Sequence, residues 1–232
     1  MALRGLLILF WVVLVAGCAR TGATAKSTAP SGAVLAAVER SVEVDAFTDL
    51  TIDGSVTLTL RTGHGPSLTI RGAADRVAAA SIHQEGLDLT LHVPATTNAG
   101  APSVEVEAAT GVLSRIRVSH GATLVLNGIR AHDLRLEAAS GSTVVGSGRI
   151  VDLDLAVSAS TANIGEVSIG SGTVELTADG VAEVAVKGSL SGSVSDGGRL
   201  VLWATPTDLR VDAVDSGRIE PVSGRPGVPQ TG

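Results

Sequence analysis

A short strand pattern recurs in the second half of the chain about every 20 residues, and this repeat restricts the possible folds more than any other feature. Each copy has a small residue at a turn between two alternating apolar stretches, as in LEAASGSTVVGSG at residues 136–148. Because one such unit cannot bury its own inward side chains, a fixed period of this kind is typical of a stacked solenoid. The small residues are 17 to 20 positions apart, at Gly121, Gly141, Ser160, Gly180, Gly197 and Gly217.

The repeat predicts an all-β fold, a single-stranded β-helix or β-solenoid with coils of about 20 residues. A β-sandwich is the alternative, although the strands are short and the turns regular for one. The alternation within a coil predicts that Leu155 points inward and Asp154 outward. Thr143, Asn163 and Glu183 occupy nearby positions in successive coils and predict one ladder of polar side chains.

The first half of the folded region has the same period of two. Apolar residues alternate with threonine over residues 56–60. They also alternate with polar residues over 87–93, which places Leu87, Leu89, Leu91 and Val93 on one face. Both stretches are typical of half-buried strands. Residues 74–82, ADRVAAASI, predict one or two helical turns, the only helix expected after the N-terminal segment.

The N-terminal segment predicts a lipoprotein signal peptide over residues 1–17. One arginine precedes an apolar run that ends in VAGC, with Cys18 as the only cysteine of the chain. The run is shorter than the roughly 20 apolar residues of a membrane-spanning helix and matches the hydrophobic part of a secretory signal. VAGC resembles the lipobox of bacterial lipoproteins, and this resemblance implies lipidation of Cys18. The alternative is a generic secretory signal in which the cysteine occurs by chance.

Composition sets the remaining domain boundaries. Residues 19–33 are small and polar, and residues 18–39 are therefore predicted to be a lipidated cysteine followed by a flexible tether. Residues 40–221 form the predicted β-helical domain. Residues 222–232, VSGRPGVPQTG, contain two prolines and three glycines and predict a disordered tail.

Several segments resemble the head GIN domain family of bacterial envelope proteins, an auto-transporter adhesin-like family. EGLDLTLHV carries the resemblance in the first half. VSHGATLVL, AASGSTVVG and SASTANIG carry it in the second, with ADGVAEV and SDGGRLVL as looser copies. The resemblance covers most of residues 42–220 and implies a β-helical domain with an adhesin-like role. It supplies no set of catalytic residues.

Charge and composition argue against nucleic acid as a partner. The formal net charge is −6, and the 17 lysines and arginines are scattered singly. A nucleic-acid-binding protein normally carries a basic face. The expected partners are therefore the membrane, through the lipid, and an envelope protein or glycan that the sequence does not identify.

No pattern in the sequence predicts a cofactor, a metal site or a catalytic centre. His83 and His92 flank a hairpin-like turn and could meet, but exposed strand histidines are the simpler interpretation. Asp152 and Asp154 could form a calcium-binding pair, since Ca²⁺ takes carboxylate oxygens, with an ordinary outward strand face as the alternative. Trp203 is expected to cap the last coil, or else to lie exposed at a contact surface.

The sequence thus predicts a non-enzymatic, lipid-anchored module of the cell envelope that presents a rigid β-helical face for interaction or adhesion. It would face away from the cytoplasm, with the outer membrane favoured in a two-membrane bacterium because Ala19, and not Asp, follows the cysteine. Two alternatives stay open at this level: a β-helical protein that binds or cleaves glycans, and an accessory or sensor protein of an envelope system.

Overall fold

The computed structural model describes residues 37–95 and 104–221, which form strands almost throughout. The signal peptide, Cys18, most of the predicted tether and the predicted tail lie outside these residues. The first part contains β1 (Ala37–Val42), β2 (Asp49–Gly54), β3 (Val56–Thr62), β4 (Ser67–Ala73), α1 (Ala74–Ala79), β5 (Ser81–Glu85), β6 (Asp88–Val93), β7 (Val104–Thr110) and β8 (Arg115–Ser119). The second part contains β9 (Thr123–Ala139), β10 (Thr143–Ser158), β11 (Thr161–Thr177), β12 (Val181–Val186), β13 (Ser189–Val194), β14 (Arg199–Leu202), β15 (Asp208–Ala213) and β16 (Arg218–Pro221).

These strands build the predicted β-solenoid, with about six turns of about 19 residues. In the second part each strand pairs in parallel with the strand one coil later, so that Thr123 is in register with Thr143, then Thr161, Val181 and Arg199. A solenoid has this continuous parallel register, whereas a sandwich of antiparallel sheets does not. The β-sandwich alternative is therefore wrong.

Two interruptions in the pairing divide each coil into three stretches, which we call faces A, B and C. Face A consists of residues 123–126, 143–146, 161–164 and 181–184 with β14 and β16. Face B consists of residues 129–131, 148–150, 167–169 and 185–187. Face C consists of residues 133–139, 152–158 and 171–177 with β13 and β15.

The first part of the chain extends two of these faces. β3 pairs with β9 on face A and is followed outward by β7, β4 and β1, the last two antiparallel to their neighbours. β8, β2, β6 and β5 extend face C, with β5 and β6 forming an antiparallel hairpin. α1 lies within the helical stretch predicted at 74–82 and buries Val77. β1 begins three residues before the predicted start of the domain at residue 40.

The core is a set of aliphatic ladders that run along the solenoid axis. On face C, Ile116, Leu136, Leu155 and Val174 follow one another in register, and each is at most 2% exposed. Leu155 points inward, as predicted, and Asp154 lies on the outer side with 54% of its side chain exposed. Large aliphatic side chains stacked at the strand spacing of about 4.8 Å supply most of the apolar burial.

The predicted corners are turns between faces C and A. At the Gly121, Gly141 and Gly197 corners the glycine and the residue before it both have positive φ, which is the conformation of a tight type I′ turn. Gly180 and Gly217 serve a different purpose, since a Cβ at either position would lie within 2.5 Å of a carbonyl oxygen in the preceding coil. Small residues are thus required at these corners for two separate reasons.

The alternation misassigned Leu87, and Leu209 is also exposed although it is in register with the buried Leu190. Leu87 is 55% exposed because it lies in the turn between β5 and β6, outside the strand that buries Leu89. Leu209 is 45% exposed because β15 is the last strand on face C, where no further described strand covers it. An inward position is buried only where a neighbouring coil stacks on it.

Candidate functional site

The polar side chains that could carry function lie on the outside of the three faces. On face A the predicted ladder of Thr143, Asn163 and Glu183 is wrong in one member. Asn163 and Glu183 are in register, but Val145 and not Thr143 precedes them. Thr143 instead belongs to a threonine ladder with Thr57, Thr123 and Thr161. Thr143 and its register partner Thr161 are 18 residues apart, two fewer than the uniform period of 20 on which the predicted ladder was based. Asn163 is therefore in register with Val145.

Asp152 and Asp154 lie on the outer side of face C but do not act as a pair. Asp154 accepts a hydrogen bond from Thr173 (2.9 Å) and lies 3.6 Å from the Arg135 guanidinium. Asp152 accepts a hydrogen bond from Ser171 in the next coil. Each carboxylate therefore bonds within the solenoid surface, in agreement with the outward strand face given as the alternative to a calcium pair.

Asp152 does approach a different pair of residues, His132 and Asp133. One ligand atom from each of the three lies within 4.8 Å of the other two, so the group could supply three ligands to a divalent ion. His132 and Asp133 are exposed, and their side chains already bond to each other at 2.9 Å. Three exposed ligands that have partners in the protein give a weak site at most, since Ca²⁺ takes six to eight oxygens.

The most connected group of titratable side chains is centred on Asp53, at the end of β2. One carboxylate oxygen lies 2.8 Å from Nδ1 of His92 on β6. The other accepts a hydrogen bond from Ser119 on β8 (2.9 Å) and contacts Nδ1 of His120. The parallel register of β6, β2 and β8 places these residues side by side.

Neither Asp53 nor His120 was among the residues predicted to meet His92. The contact suggested by the sequence was with His83, but His83 lies 3.1 Å from Glu85. A possible signal was present in the Asp-Gly and Ser-His-Gly sequences at the ends of two strands, where polar side chains collect at a sheet edge.

The environment of Asp53 favours its ionised form. Partial burial by itself raises the pKa of this carboxyl, but hydrogen bonds from Ser119, His92 and His120 outweigh the burial. The pKa of Asp53 therefore lies below its usual value. The ionised carboxylate of Asp53 thus connects the ends of β2, β6 and β8 through its bonds to three neighbouring side chains.

Asp53→Asn is expected to lower the free energy of unfolding by about 1–2 kcal/mol at neutral pH, because hydrogen bonds to a charged acceptor are lost. Since the folded-state pKa is lowered, the contribution of Asp53 is fully present above the unfolded aspartate pKa of about 3.9. It is lost as pH falls through the lower folded-state pKa, so the difference between variant and wild type should shrink there. Urea unfolding from pH 7 to pH 2.5 measures this difference.

The control is Asp212→Asn on β15, where the carboxylate bonds to no other side chain among the described residues. This variant should follow the wild type at every pH. A difference for Asp53→Asn that stays constant down to pH 2.5 would contradict the role given to its charge.

Trp203 does not cap the last coil, because β15 and β16 follow it and complete a further coil. It lies on the side of the solenoid, between faces A and B, with 38% of its surface exposed. Its indole Nε1 donates a hydrogen bond to Glu183 (3.0 Å). The ring packs against Gly165, where a Cβ would lie 2.7 Å from Cδ1. Trp203 is therefore exposed, as in the alternative interpretation, and its role in a contact surface stays a prediction.

The predicted lipidation residue, Cys18, lies outside the described residues. Within residues 37–95 and 104–221, no helix has the length and apolarity needed to span a membrane.

Comparison with known proteins identifies relatives of this solenoid. The solenoid is similar to the crystal structure of a "putative adhesin" from Bacteroides fragilis, with a TM-score of 0.64 and 13% identity over 81% of this chain and 97% of that one. A second "putative adhesin", from Parabacteroides distasonis, aligns with a TM-score of 0.49 and 12% identity over 81% of this chain and 97% of that one. No curated protein matches the sequence.

The family comparison covers most of the solenoid. Residues 46–206 match the family described as "Putative auto-transporter adhesin, head GIN domain". The matched range begins before β2 and ends after β14. It therefore includes every described strand except β1, β15 and β16. The chain therefore belongs to the head GIN domain family.

Proposed function

We propose that this protein is a non-enzymatic adhesion module of the bacterial cell envelope, held to a membrane by a lipid on Cys18. The observation that carries the proposal is the stiff solenoid with regular outer ladders, in a family described as adhesins. Continuous parallel pairing fixes the positions of outward side chains over several coils. Such a surface binds an extended partner with little loss of conformational freedom.

The geometry of the outer faces suits binding better than turnover. The charged side chains that cluster on face C pair with each other, as in the ion pairs of Glu137 with Arg117 (3.1 Å) and Arg135 (2.7 Å). Burial alone raises the pKa of Glu137, but the two arginines lower it overall, which keeps this carboxylate ionised. A permanently charged, paired carboxylate is a poor general acid at neutral pH.

The sequence around Cys18 supports the lipid anchor. VAGC follows an apolar run of secretory type, and the polar residues after it would separate the solenoid from the membrane. More than one acyl chain gives durable attachment, since each buried CH₂ adds about 0.8 kcal/mol. The module would face away from the cytoplasm, on the outer membrane where a cell has two.

Cys18→Ser is expected to abolish membrane retention of the full chain, because the thiol is the proposed lipid acceptor. The variant should remain as an unprocessed precursor or be released, and cells that produce it should lose adhesion that depends on this protein. Detergent phase partitioning, mass spectrometry of the mature N-terminus and a cell-attachment assay measure the three effects.

The matched control is Ala19→Ser, which changes the neighbouring residue and keeps the thiol. It should partition into detergent like the wild type. An unmodified Cys18 in membrane-extracted wild-type protein would refute the anchor, and attachment equal to that of cells lacking the protein would refute the adhesion role.

A further inference from the structure

Two arginines lie side by side on face B, and neither forms an ion pair with a carboxylate in the described part of the chain. Arg130 and Arg149 are register partners on β9 and β10, and both side chains are exposed. They line a surface cleft of about 720 Å³ together with His132 and two glycines, Gly128 and Gly148. Because parallel neighbours in register project in the same direction, the two guanidinium groups face the same volume of solvent.

Half of the twelve arginines in the described residues form ion pairs with carboxylates, at Arg71, Arg115, Arg117, Arg135, Arg199 and Arg210. Among the six that do not, only Arg130 and Arg149 are register partners of each other. Within residues 37–95 and 104–221, no carboxylate oxygen lies within 4.0 Å of Arg130 or Arg149. Like charges directly opposite each other on neighbouring strands are destabilising. Although the chain as a whole has a net charge of −6, these two arginines make the surface locally positive, and a bound anion would relieve their mutual repulsion.

The carboxylates nearest in sequence to this cleft have other partners. Asp133 and Asp152 begin the next face, where they bond to His132 and Ser171 respectively. Neither carboxylate lines the cleft or forms an ion pair with the two arginines. Two exposed guanidinium groups form a pair of donor forks that matches carboxylate or sulfate oxygens.

A second cleft, of about 600 Å³, continues face B in the following coils. Ser168 connects the two clefts, because it is in register with Arg149 and lines the second cleft. Trp203 forms part of its wall, with Asn163, Lys187 and Glu166 as polar neighbours. Trp203 is the only exposed aromatic residue in the described part of the chain, since Phe47 is buried.

We propose that face B binds an acidic polysaccharide, with a carboxylate or sulfate group held between Arg130 and Arg149 and a sugar ring packed on Trp203. This inference rests on the proposed adhesion function and names the class of ligand for it. An extended ligand that lies along the solenoid axis passes from one cleft to the next over neighbouring coils. It meets cationic donors first, then the hydroxyl of Ser168, and then the indole ring, beside which lie an amide, an ammonium group and the carboxylate of Glu166.

The test uses the detergent-solubilised full chain and three probes: polygalacturonate for carboxylate groups, dextran sulfate for sulfate groups, and uncharged dextran. We expect saturable binding to at least one polyanion and none to dextran. The double variant Arg130→Gln/Arg149→Gln should weaken polyanion binding by about tenfold for each arginine, because charge-assisted hydrogen bonds are lost. Biolayer interferometry at fixed salt measures the affinities.

The matched control, Arg199→Gln/Arg210→Gln, removes the same total charge from two ion-paired arginines on faces A and C. It should bind like the wild type. Equal weakening in both double variants would show that net charge alone drives binding and would overturn the site. Binding of neither polyanion by the wild type, or no loss in the Arg130/Arg149 variant, would overturn it as well. Glutamine keeps the aliphatic Cβ–Cγ–Cδ part of each side chain and removes its charge, and circular dichroism verifies that both variants are folded.

The second half of the site has its own readout. The indole fluorescence of Trp203 should shift when the bound polyanion is added. Trp203→Leu should weaken binding by about tenfold, because the sugar ring loses the aromatic face on which it packs. Binding without a shift, and without loss in Trp203→Leu, would refute the role of the ring. If cells with the Arg130/Arg149 variant still adhere, this inference fails and the adhesion function stands. If wild-type cells adhere no better than cells that lack the protein, the adhesion function itself is refuted.

Discussion

Gly54→Ala is expected to destabilise the solenoid by about 3–5 kcal/mol, among the largest effects of any single substitution in the chain. Gly54 ends β2 and is buried, with φ of 93°. A Cβ there would lie 1.8 Å from the carbonyl oxygen of Val93 and 2.9 Å from its carbonyl carbon. This oxygen also accepts the hydrogen bond from the Ser55 amide (3.1 Å). The added methyl group therefore forces β2 and β6 apart. In addition, alanine would have to adopt the positive φ of Gly54, which a residue with a Cβ disfavours.

Gly111→Ala provides the matched comparison. Gly111 is exposed, has no positive φ, and the nearest atom to a Cβ there is the His64 carbonyl oxygen at 3.9 Å. This substitution should change the free energy of unfolding by about 0.5 kcal/mol or less. Chemical denaturation of both variants measures the difference, and similar midpoints would show that the first coil yields more readily than its geometry indicates.

The sequence was sufficient for the architecture because every coil obeys the same requirement. Inward positions need aliphatic side chains, and the turns between faces C and A need small residues or positive φ. These demands recur at Leu136, Leu155 and Val174 in register, so the repeat is visible without any other information. The helix at Ala74–Ala79 was also predictable, from a run of small helix-forming residues.

The positions that could not be predicted depend on where the stacking stops or shifts. Leu87 fits the alternation but lies in the turn between β5 and β6, and Leu209 lies on the last described strand of face C. Thr143 is not in the predicted ladder because coil lengths vary by a residue or two. In a parallel pair, each such change shifts the register of all the following outward side chains. A mean period predicts that ladders exist but does not predict their members.

The candidate sites show the same limit. Asp53 bonds to His92 and to Ser119, which are 39 and 66 residues away in the sequence. The hairpin, helix and antiparallel strands inserted between them hide the period in the first part of the chain. Arg130 and Arg149 are different, because the same residue type recurs at a coil spacing of 19 residues and could have been noticed. The spacing does not reveal, however, that neither arginine forms an ion pair within the described residues, because this depends on which side chains the fold places around them.

Leu155→Ala is expected to lower the free energy of unfolding by about 2–5 kcal/mol. Leu155 is 1% exposed and stands in the middle of the face C core ladder, with Leu136 in the preceding coil and Val174 in the following one. Loss of three heavy atoms removes apolar burial and leaves a cavity that parallel pairing on both sides prevents from collapsing. Urea denaturation at neutral pH measures the change.

Asp154→Ala is the matched substitution, one residue away on the opposite side of the same strand. Its carboxylate is 54% exposed, accepts one hydrogen bond from Thr173 (2.9 Å) and lies 3.6 Å from Arg135. Exposed pairs of this kind contribute about 0–1 kcal/mol, so the expected loss is about 1 kcal/mol or less. The ratio of the two effects tests whether the stability of the solenoid resides in its inner ladders. Equal shifts of the two denaturation midpoints would mean that the outer hydrogen-bonded surface stabilises each coil as much as the aliphatic core.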